Sequence, residues 1–135
     1  MDKDDKPNEM DETLIDCFTR KDALAAGVQF DVSPMAEEAG FRFPTFLTES
    51  VYRSFVVVPP GVSGQDVDGR LWDILWMLKV ALARGAKRPD RLSFQLYVRN
   101  SDHKAAELVT LAAVCGPYDI DDPKPAITIM LPGED

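Results

Sequence analysis

The sequence predicts an α+β domain in which an antiparallel β-meander packs on a long central helix, behind an N-terminal section of short strands and helices. Three observations support this. Residues 69–84 are apolar with helical spacing, the last third holds three strand-like runs, and residues 14–55 alternate short apolar runs with helix-capping patterns. A chain of 135 residues has the length of one ordinary domain, which we expect to span residues 13–135.

The N-terminal section follows an acidic tail. Residues 1–12 hold six acidic side chains, two lysines and few apolar groups, so we expect this tail to be disordered. Residues 14–18 form a short strand-like run. Thr19 followed three residues later by Asp22 is typical of a capping box, and it predicts a short helix that ends at Gly27.

A similar unit follows at once. Residues 28–32 alternate apolar and polar side chains, as a half-buried strand does. Ser33 is the expected N-cap of a second short helix, with Pro34 at its first position and Gly40 at its end.

A third helix is predicted after an extended approach imposed by Pro44. Thr48 and Glu49 begin this helix, which continues through Phe55. Residues 59–68 are rich in Pro, Gly, Ser and Asp, and this composition predicts a loop.

The longest predicted element is the helix of residues 69–84, with Asp68 as its expected cap and Gly85 as its end. Its core face is spaced i, i+3, i+4, i+7, i+11 and consists of Leu71, Ile74, Leu75, Leu78 and Leu82. A second apolar face consists of Trp72, Trp76, Val80 and Ala83. We therefore expect this helix to be buried on more than one side, with both tryptophans in the core.

The last third of the chain predicts three strands. Residues 92–98 alternate strictly, residues 108–114 are continuously apolar and so more central, and residues 126–131 place three apolar side chains on one face. The connections, residues 100–106 and 116–125, are short enough to join antiparallel neighbours.

The charge of the chain is concentrated at its ends. The formal net charge is -8, and residues 1–12 and 118–135 each contribute -4, because the body between them has twelve acidic and twelve basic side chains. This distribution argues against a mimic of DNA, whose charges must cover a folded surface. The C-terminal acids remain candidate binding residues: Asp119, Asp121, Asp122, Glu134 and Asp135.

A basic segment, residues 84–91, contributes the other candidate binding residues: Arg84, Lys87, Arg88 and Arg91. These cations could contact phosphates or an acidic protein. They also suit the C-terminus of a helix, where the helix dipole favours positive charge. An isoelectric point near 4.6 disfavours general nucleic-acid binding.

Several classes of function are excluded or disfavoured by counts. A single histidine, His103, excludes sites that need two imidazoles in one chain. Two cysteines, Cys17 and Cys115, do not make a disulfide framework. The chain has no apolar leader, no membrane-length run and no phosphate-binding glycine motif, so we expect a cytoplasmic protein without a cofactor, a metal or a membrane contact.

Two groups of residues could support catalysis or metal binding, but each also has an ordinary structural explanation. Cys115 could act as a nucleophile with His103 as its base, although a buried cysteine is more often a small apolar residue. The carboxylates of Asp119, Asp121 and Asp122 could bind a hard cation, although turn chemistry explains the same residues. We assign no catalytic and no metal-binding residue.

Three stretches resemble a family of small bacterial proteins carried by plasmids, phages and integrated elements and labelled a domain of unknown function. They are residues 17–44, residues 69–77, and residues 114–117 together with 125–135. The resemblance brings no catalytic residues. It implies a mobile-element setting, in which small proteins often bind and block a host factor.

The leading hypothesis is therefore a small, acidic, non-enzymatic interaction protein of a mobile element that binds a protein encoded by the host or by the element. It would block a host defence factor, in the manner of an anti-CRISPR or antirestriction protein. A homodimer is compatible with this hypothesis. The alternatives are a small enzyme that uses carboxylates or Cys115, and a nucleic-acid-binding regulator that uses residues 84–91.

Overall fold

The computed structural model describes residues 18–134, and within them the α+β class is confirmed. The helices are α1 (Arg20–Ala25), α2 (Ser33–Glu38), α3 (Glu49–Val51), which continues into a π-helical turn (Tyr52–Val56), and α4 (Val67–Ala83). The strands are β1 (Gln29–Asp31), β2 (Thr45–Thr48), β3 (Arg91–Val98), β4 (Glu107–Asp119) and β5 (Asp122–Met130). The predicted tail and residues 14–17 of the predicted first strand lie outside the described residues.

The strands form one mixed sheet in the order β1-β2-β5-β4-β3. The predicted meander is confirmed, because β3, β4 and β5 pair in sequence as antiparallel neighbours. The N-terminal section adds two strands, with β2 parallel to β5 and β1 antiparallel to β2. Strand β2 was not predicted, because Thr45, Phe46 and Leu47 are all buried and the strand therefore shows no alternation of apolar and polar side chains.

The connection predicted for residues 116–125 is mostly strand. Gly116 pairs with Ala126 and Pro117 with Pro125, so the ladder between β4 and β5 continues almost to the tip of the hairpin. Only Ile120 and Asp121 form the turn. Pro, Gly and Asp had suggested a loop, but the long pairing partner holds these residues extended.

The core lies between α4 and one face of the sheet. Four of the five residues on the predicted core face of α4 are buried: Leu71, Ile74, Leu75 and Leu78. They belong to one apolar cluster with sheet residues that include Leu47, Phe94, Leu96, Leu111 and Ile129. The predicted packing of the meander on this helix is therefore confirmed.

The second apolar face of α4 is not buried as predicted. On this face Trp76 is 46% exposed and Ala83 is exposed, and on the core face Leu82, in the last turn, is 42% exposed. Trp72 stacks on Trp76 with ring centroids 6.1 Å apart and is only partly buried. The reason is architectural: the sheet covers α4 along one side, and the short elements of the N-terminal section are too small to cover the rest.

The helix starts follow the predicted chemistry with two corrections. The capping box of Thr19 and Asp22 is present. Helix α4 is capped by Asp66, whose carboxylate accepts a hydrogen bond from Gly69 N at 2.6 Å, and not by Asp68, which lies in the first turn. Ser33 is the first residue of α2 and not its cap, because its hydroxyl accepts a hydrogen bond from Thr45 N on β2.

On the opposite face of the sheet, Arg20 joins α1 to three strands. Its guanidinium donates to Tyr118 O at 2.6 Å, Gln29 Oε1 at 2.8 Å and Thr128 Oγ1 at 3.1 Å. The guanidinium carbon also lies 4.1 Å from the centroid of the Phe46 ring. Partial burial is the main cause that lowers the pKa of Arg20 below its ordinary value.

Candidate functional site

The basic loop, residues 84–91, connects the end of α4 to the start of β3. Arg84 is the C-cap of α4, and Gly85 follows it with φ +94°, a conformation that ends the helix as predicted. Arg88 lies 3.3 Å from Asp90, but both side chains are more than half exposed, so this ion pair contributes little stability. The loop therefore presents most of its positive charge to solvent, and it lies between two concave surfaces.

The first concave surface is an apolar pocket of about 390 Å³, which we call the anchor pocket. Its apolar lining includes Phe41, Phe43, Leu78, Leu82, Leu92 and Ile127. Its charged lining residues are Arg42, Arg88, Asp90 and Arg91. Phe43 and Leu82 are each 42% exposed. Folding thus brings the segment before β2 beside the basic loop, although 44 residues lie between Phe43 and Arg88 in the sequence.

The second concave surface is a groove of about 750 Å³ between α4 and β3, which we call the edge groove. Helix α4 contributes Asp73, Trp76, Met77, Val80, Ala81 and Arg84, and β3 contributes residues 92–97. Tyr97, which also lines it, is 68% exposed. The sequence indicated the alternation of β3 but not this groove, which depends on how α4 packs against the sheet.

Asp119, one of the candidate binding acids, has internal partners. Its carboxylate accepts hydrogen bonds from Ile120 N at 2.8 Å and from Arg20 N and Lys21 N, both at 3.1 Å, at the start of α1. These bonds, with that from Ile120 first, and the charge of Arg20 lower the pKa of Asp119 below its ordinary value. Asp119 therefore caps a helix and holds the β-hairpin against it.

The remaining candidate acids are divided between internal bonds and solvent. Glu134 accepts hydrogen bonds from Leu131 N at 2.6 Å and from Thr48 Oγ1 at 2.9 Å. Asp122 accepts one from Lys124 N at 3.1 Å. Asp121 is exposed at the hairpin turn, and Asp135 lies outside the described residues.

The geometry separates the cysteine and the histidine of the enzyme alternative. Cys115 N donates to Asp90 O at one end of the β3–β4 ladder, whereas His103 lies in the loop beyond the other end, where Val98 pairs with Glu107. Eight residues of strand separate the two ends, or about 27 Å. Within residues 18–134, no group of three or more His, Cys, Asp or Glu side chains could hold a metal ion.

Arg70 is a buried residue beside the edge groove that the sequence did not single out. It is 5% exposed and donates to Phe55 O at 3.0 Å, Gln65 Oε1 at 2.9 Å, Arg99 O at 3.1 Å and Asn100 Oδ1 at 2.6 Å. Burial lowers the pKa of Arg70 below its ordinary value. Because a helical arginine is ordinarily exposed, no local pattern could have identified this role.

A polar network anchors the loop after β3 near the same end of the groove. Asp102 accepts hydrogen bonds from Ser63 N at 3.1 Å, Ser63 Oγ at 2.8 Å and Arg99 at 2.5 Å. The bonds from Ser63, backbone first, lower the pKa of Asp102 below its ordinary value. Together with Arg70, this network positions the loop beside the edge groove.

Comparison with known proteins gives one match. A family model described as "Family of unknown function (DUF6573)" matches residues 9–135. No curated protein and no solved structure matches the chain. In the part of the chain that the structure describes, no helix is both long and apolar enough to cross a membrane.

Proposed function

Because the chain belongs to the DUF6573 family, whose function is unknown, we propose its function from its own surface. We propose that it is a non-enzymatic protein-binding module. An acidic segment of a partner protein places an apolar side chain in the anchor pocket, beside the basic loop. The observation that carries this proposal is an open apolar pocket with arginines among its lining residues.

The apolar part of the proposal rests on Phe43 and Leu82. Each is 42% exposed and both line the same pocket, so they form part of one apolar patch and are not isolated exposed side chains. Protein interfaces commonly combine a central pocket that takes an apolar anchor with a surrounding polar rim. The anchor pocket has this composition.

The charge of the partner follows from the charged lining of the pocket. Arg42 and Arg88 line the pocket together with one carboxylate, that of Asp90. Arg84 and Lys87 extend the positive surface along the basic loop. Such a surface attracts acidic partners and accelerates their association, with an effect that salt weakens. Nucleic acid remains disfavoured, since the net charge is -8.

A more specific hypothesis concerns the genetic origin of the protein and the identity of its partner. The resemblance to a domain of unknown function is confirmed by the family match, whereas its plasmid, phage or integrated-element origin stays a proposal. On that proposal, the partner is a cytoplasmic host-defence protein, such as a CRISPR or restriction component, and the module acts by covering its surface.

Peptide selection tests the chemistry of the pocket without a known partner. A random peptide library displayed on phage is selected against the full chain, and a selected peptide is titrated against variants. We expect selected peptides to carry a large apolar residue beside Asp or Glu. Leu82→Ser and Arg88→Glu should each weaken binding about tenfold, because they remove the anchor contact and reverse a rim charge.

Two matched variants control this experiment. Ile120→Ser changes an exposed apolar side chain that does not line the anchor pocket. Ile120 is 67% exposed and lies at the hairpin turn. Lys104→Glu reverses an exposed charge in the loop after β3. Both should bind the peptide as the unchanged chain does. Selection of basic peptides, equal losses in the controls, or tight salt-sensitive binding of duplex DNA would overturn the proposal.

A further inference from the structure

Among residues 18–134, strand β3 pairs with another strand along only one of its two edges. It is the last strand of the sheet, and β4 pairs with only one side of it. The bond from Cys115 N to Asp90 O fixes which residues face β4, because bonded and non-bonded pairs alternate along an antiparallel ladder. The backbone groups of Ser93, Gln95 and Tyr97 therefore point outward, where the described residues offer them no strand partner.

This edge lacks the features that usually prevent strand addition. Natural proteins protect sheet edges by short strands, lysines, prolines or bulges. Strand β3 has eight residues, its one charged side chain is Arg91 at its start, and it contains no proline and no register shift. The opposite edge, β1, has three residues and ends at the exposed Asp31. The contrast marks β3 as the edge that can accept another strand.

The helix beside this edge carries an apolar stripe that is charged at both ends. The stripe consists of Asp73, Trp76, Met77, Val80, Ala81 and Arg84. These positions are spaced i, i+3, i+4, i+7, i+8 and i+11, so they share one helical face. Trp76 is 46% exposed on it. An acid thus lies at one end and a base at the other, with only apolar residues between them.

Two copies of this stripe are complementary in charge when the two helices lie antiparallel, because the acid of each then faces the base of the other. A two-fold axis between Met77 and Val80 would place Asp73 of each copy opposite Arg84 of the other. On β3, an axis at Phe94 would pair Ser93 of each copy with Gln95 of the other, and both belong to the outward-facing set. A second copy of the chain accounts for this two-fold symmetry, whereas binding of an unrelated protein does not require it.

We propose that the edge groove binds a second copy of this chain. The two β3 strands pair antiparallel and extend the sheets into one, while the two α4 helices pack along their stripes. The dimer covers Trp76 and Tyr97 and satisfies the outward backbone groups of β3. The anchor pocket shares only Leu92 with the edge groove, so the dimer goes beyond the proposed function and presents two such pockets.

Molar mass in solution tests the proposal. Light scattering should give about 30 kDa, twice the chain mass of 15.0 kDa. Asp73→Arg should weaken dimerisation about tenfold, because it places like charges together, and Arg84→Asp should do the same. The double variant Asp73→Arg/Arg84→Asp restores the opposite-charge pairs and should restore the dimer, which a folding defect could not do.

Two further variants locate the interface. Gln95→Pro removes one outward N–H from β3 and should also weaken the dimer, with circular dichroism confirming that the variant folds. Asp68→Arg makes the same charge change as Asp73→Arg, but outside the stripe, and should leave the dimer intact. Monomers at all concentrations, a dimer insensitive to the charge changes, or failure of the double variant to recover would overturn the proposal. Peptide binding by Asp73→Arg should stay unchanged, so the two proposals fail separately.

Discussion

At the scale of single residues, two arginines act through hydrogen bonds to neutral oxygen atoms. Arg20 and Arg70 each connect elements that are distant in sequence, and burial lowers the pKa of both. A buried guanidinium is tolerated when its donors are satisfied, because its fixed fork can bond several oxygens at once. These hydrogen bonds hold the short N-terminal helices and the loop after β3 in place, although these segments have no extensive apolar core of their own.

Arg70→Ala should destabilise the fold. The substitution removes the arginine donor from the oxygens of Phe55, Gln65 and Asn100, whereas Arg99 O keeps its bond from Gln65 Nε2. We expect the free energy of unfolding to fall by about 3 kcal/mol. Urea denaturation measures this change. Arg70→Lys keeps the charge but loses the fork and should give an intermediate value. Equal stability of Arg70→Ala and the unchanged chain would contradict this role.

At the scale of elements, the start of α4 shows two side chains competing for one role, the N-cap of the helix. The sequence around the start of α4 offers two aspartates, and both could cap a helix. Asp66 adopts the extended backbone of a cap and bonds Gly69 N, so the helix starts two residues earlier than predicted. Asp68 then lies in the first turn, where its charge still interacts favourably with the helix dipole.

The two aspartates can be distinguished by substitution. Asp66→Ala removes the side-chain acceptor of the cap and should lower the free energy of unfolding by about 1 kcal/mol. Asp68→Ala removes only an exposed charge and should cost about 0.3–1 kcal/mol at low salt, with the difference disappearing as salt is added. Thermal or urea unfolding of both variants at two salt concentrations provides the comparison. A larger loss for Asp68→Ala would contradict the assignment of Asp66 as the cap.

At the scale of the whole molecule, the acidic residues stabilise the fold in a pH-dependent way. The pKa values of Asp102 and Asp119 are lowered in the folded chain, so the unfolded chain binds more protons in acid. Stability from these groups is complete above the ordinary pKa of 3.8 and is lost as the pH falls through the folded values. Part of the negative charge therefore contributes to the stability of the fold.

Asp119→Asn tests this linkage. The variant should be less stable than the unchanged chain at pH 7, because a neutral amide bonds the start of α1 more weakly than a carboxylate. The difference should shrink as the pH falls below about 4, where the wild-type carboxyl group becomes protonated. Urea midpoints across this range measure it. Asp121→Asn removes one charge from the exposed turn and is the matched control. A stability difference for Asp119→Asn that does not change with pH would contradict the linkage.

The candidate site was only partly accessible to sequence reasoning. Arg88 and Arg91 could be selected from a local concentration of charge, and both line the anchor pocket. Phe41 and Phe43 could not be connected to them, because that contact joins the segment before β2 to the loop after α4. Asp119 was selected for its charge, but its hydrogen bonds to α1 depend on the packing of the hairpin.

The sequence by itself determined the α+β class, the meander, the capping box of Thr19 and the course of α4. Each of these features depends on the spacing of apolar residues along a short segment, or on hydrogen bonds between residues close in sequence. A short stretch of sequence is therefore enough to predict it. Only the tertiary structure decided that the second apolar face of α4 and the last turn of its core face are left uncovered, and hence that Trp76 and Leu82 are exposed. Burial of a face depends on what packs against it from elsewhere in the chain, and an apolar pattern does not distinguish a core face from a binding face.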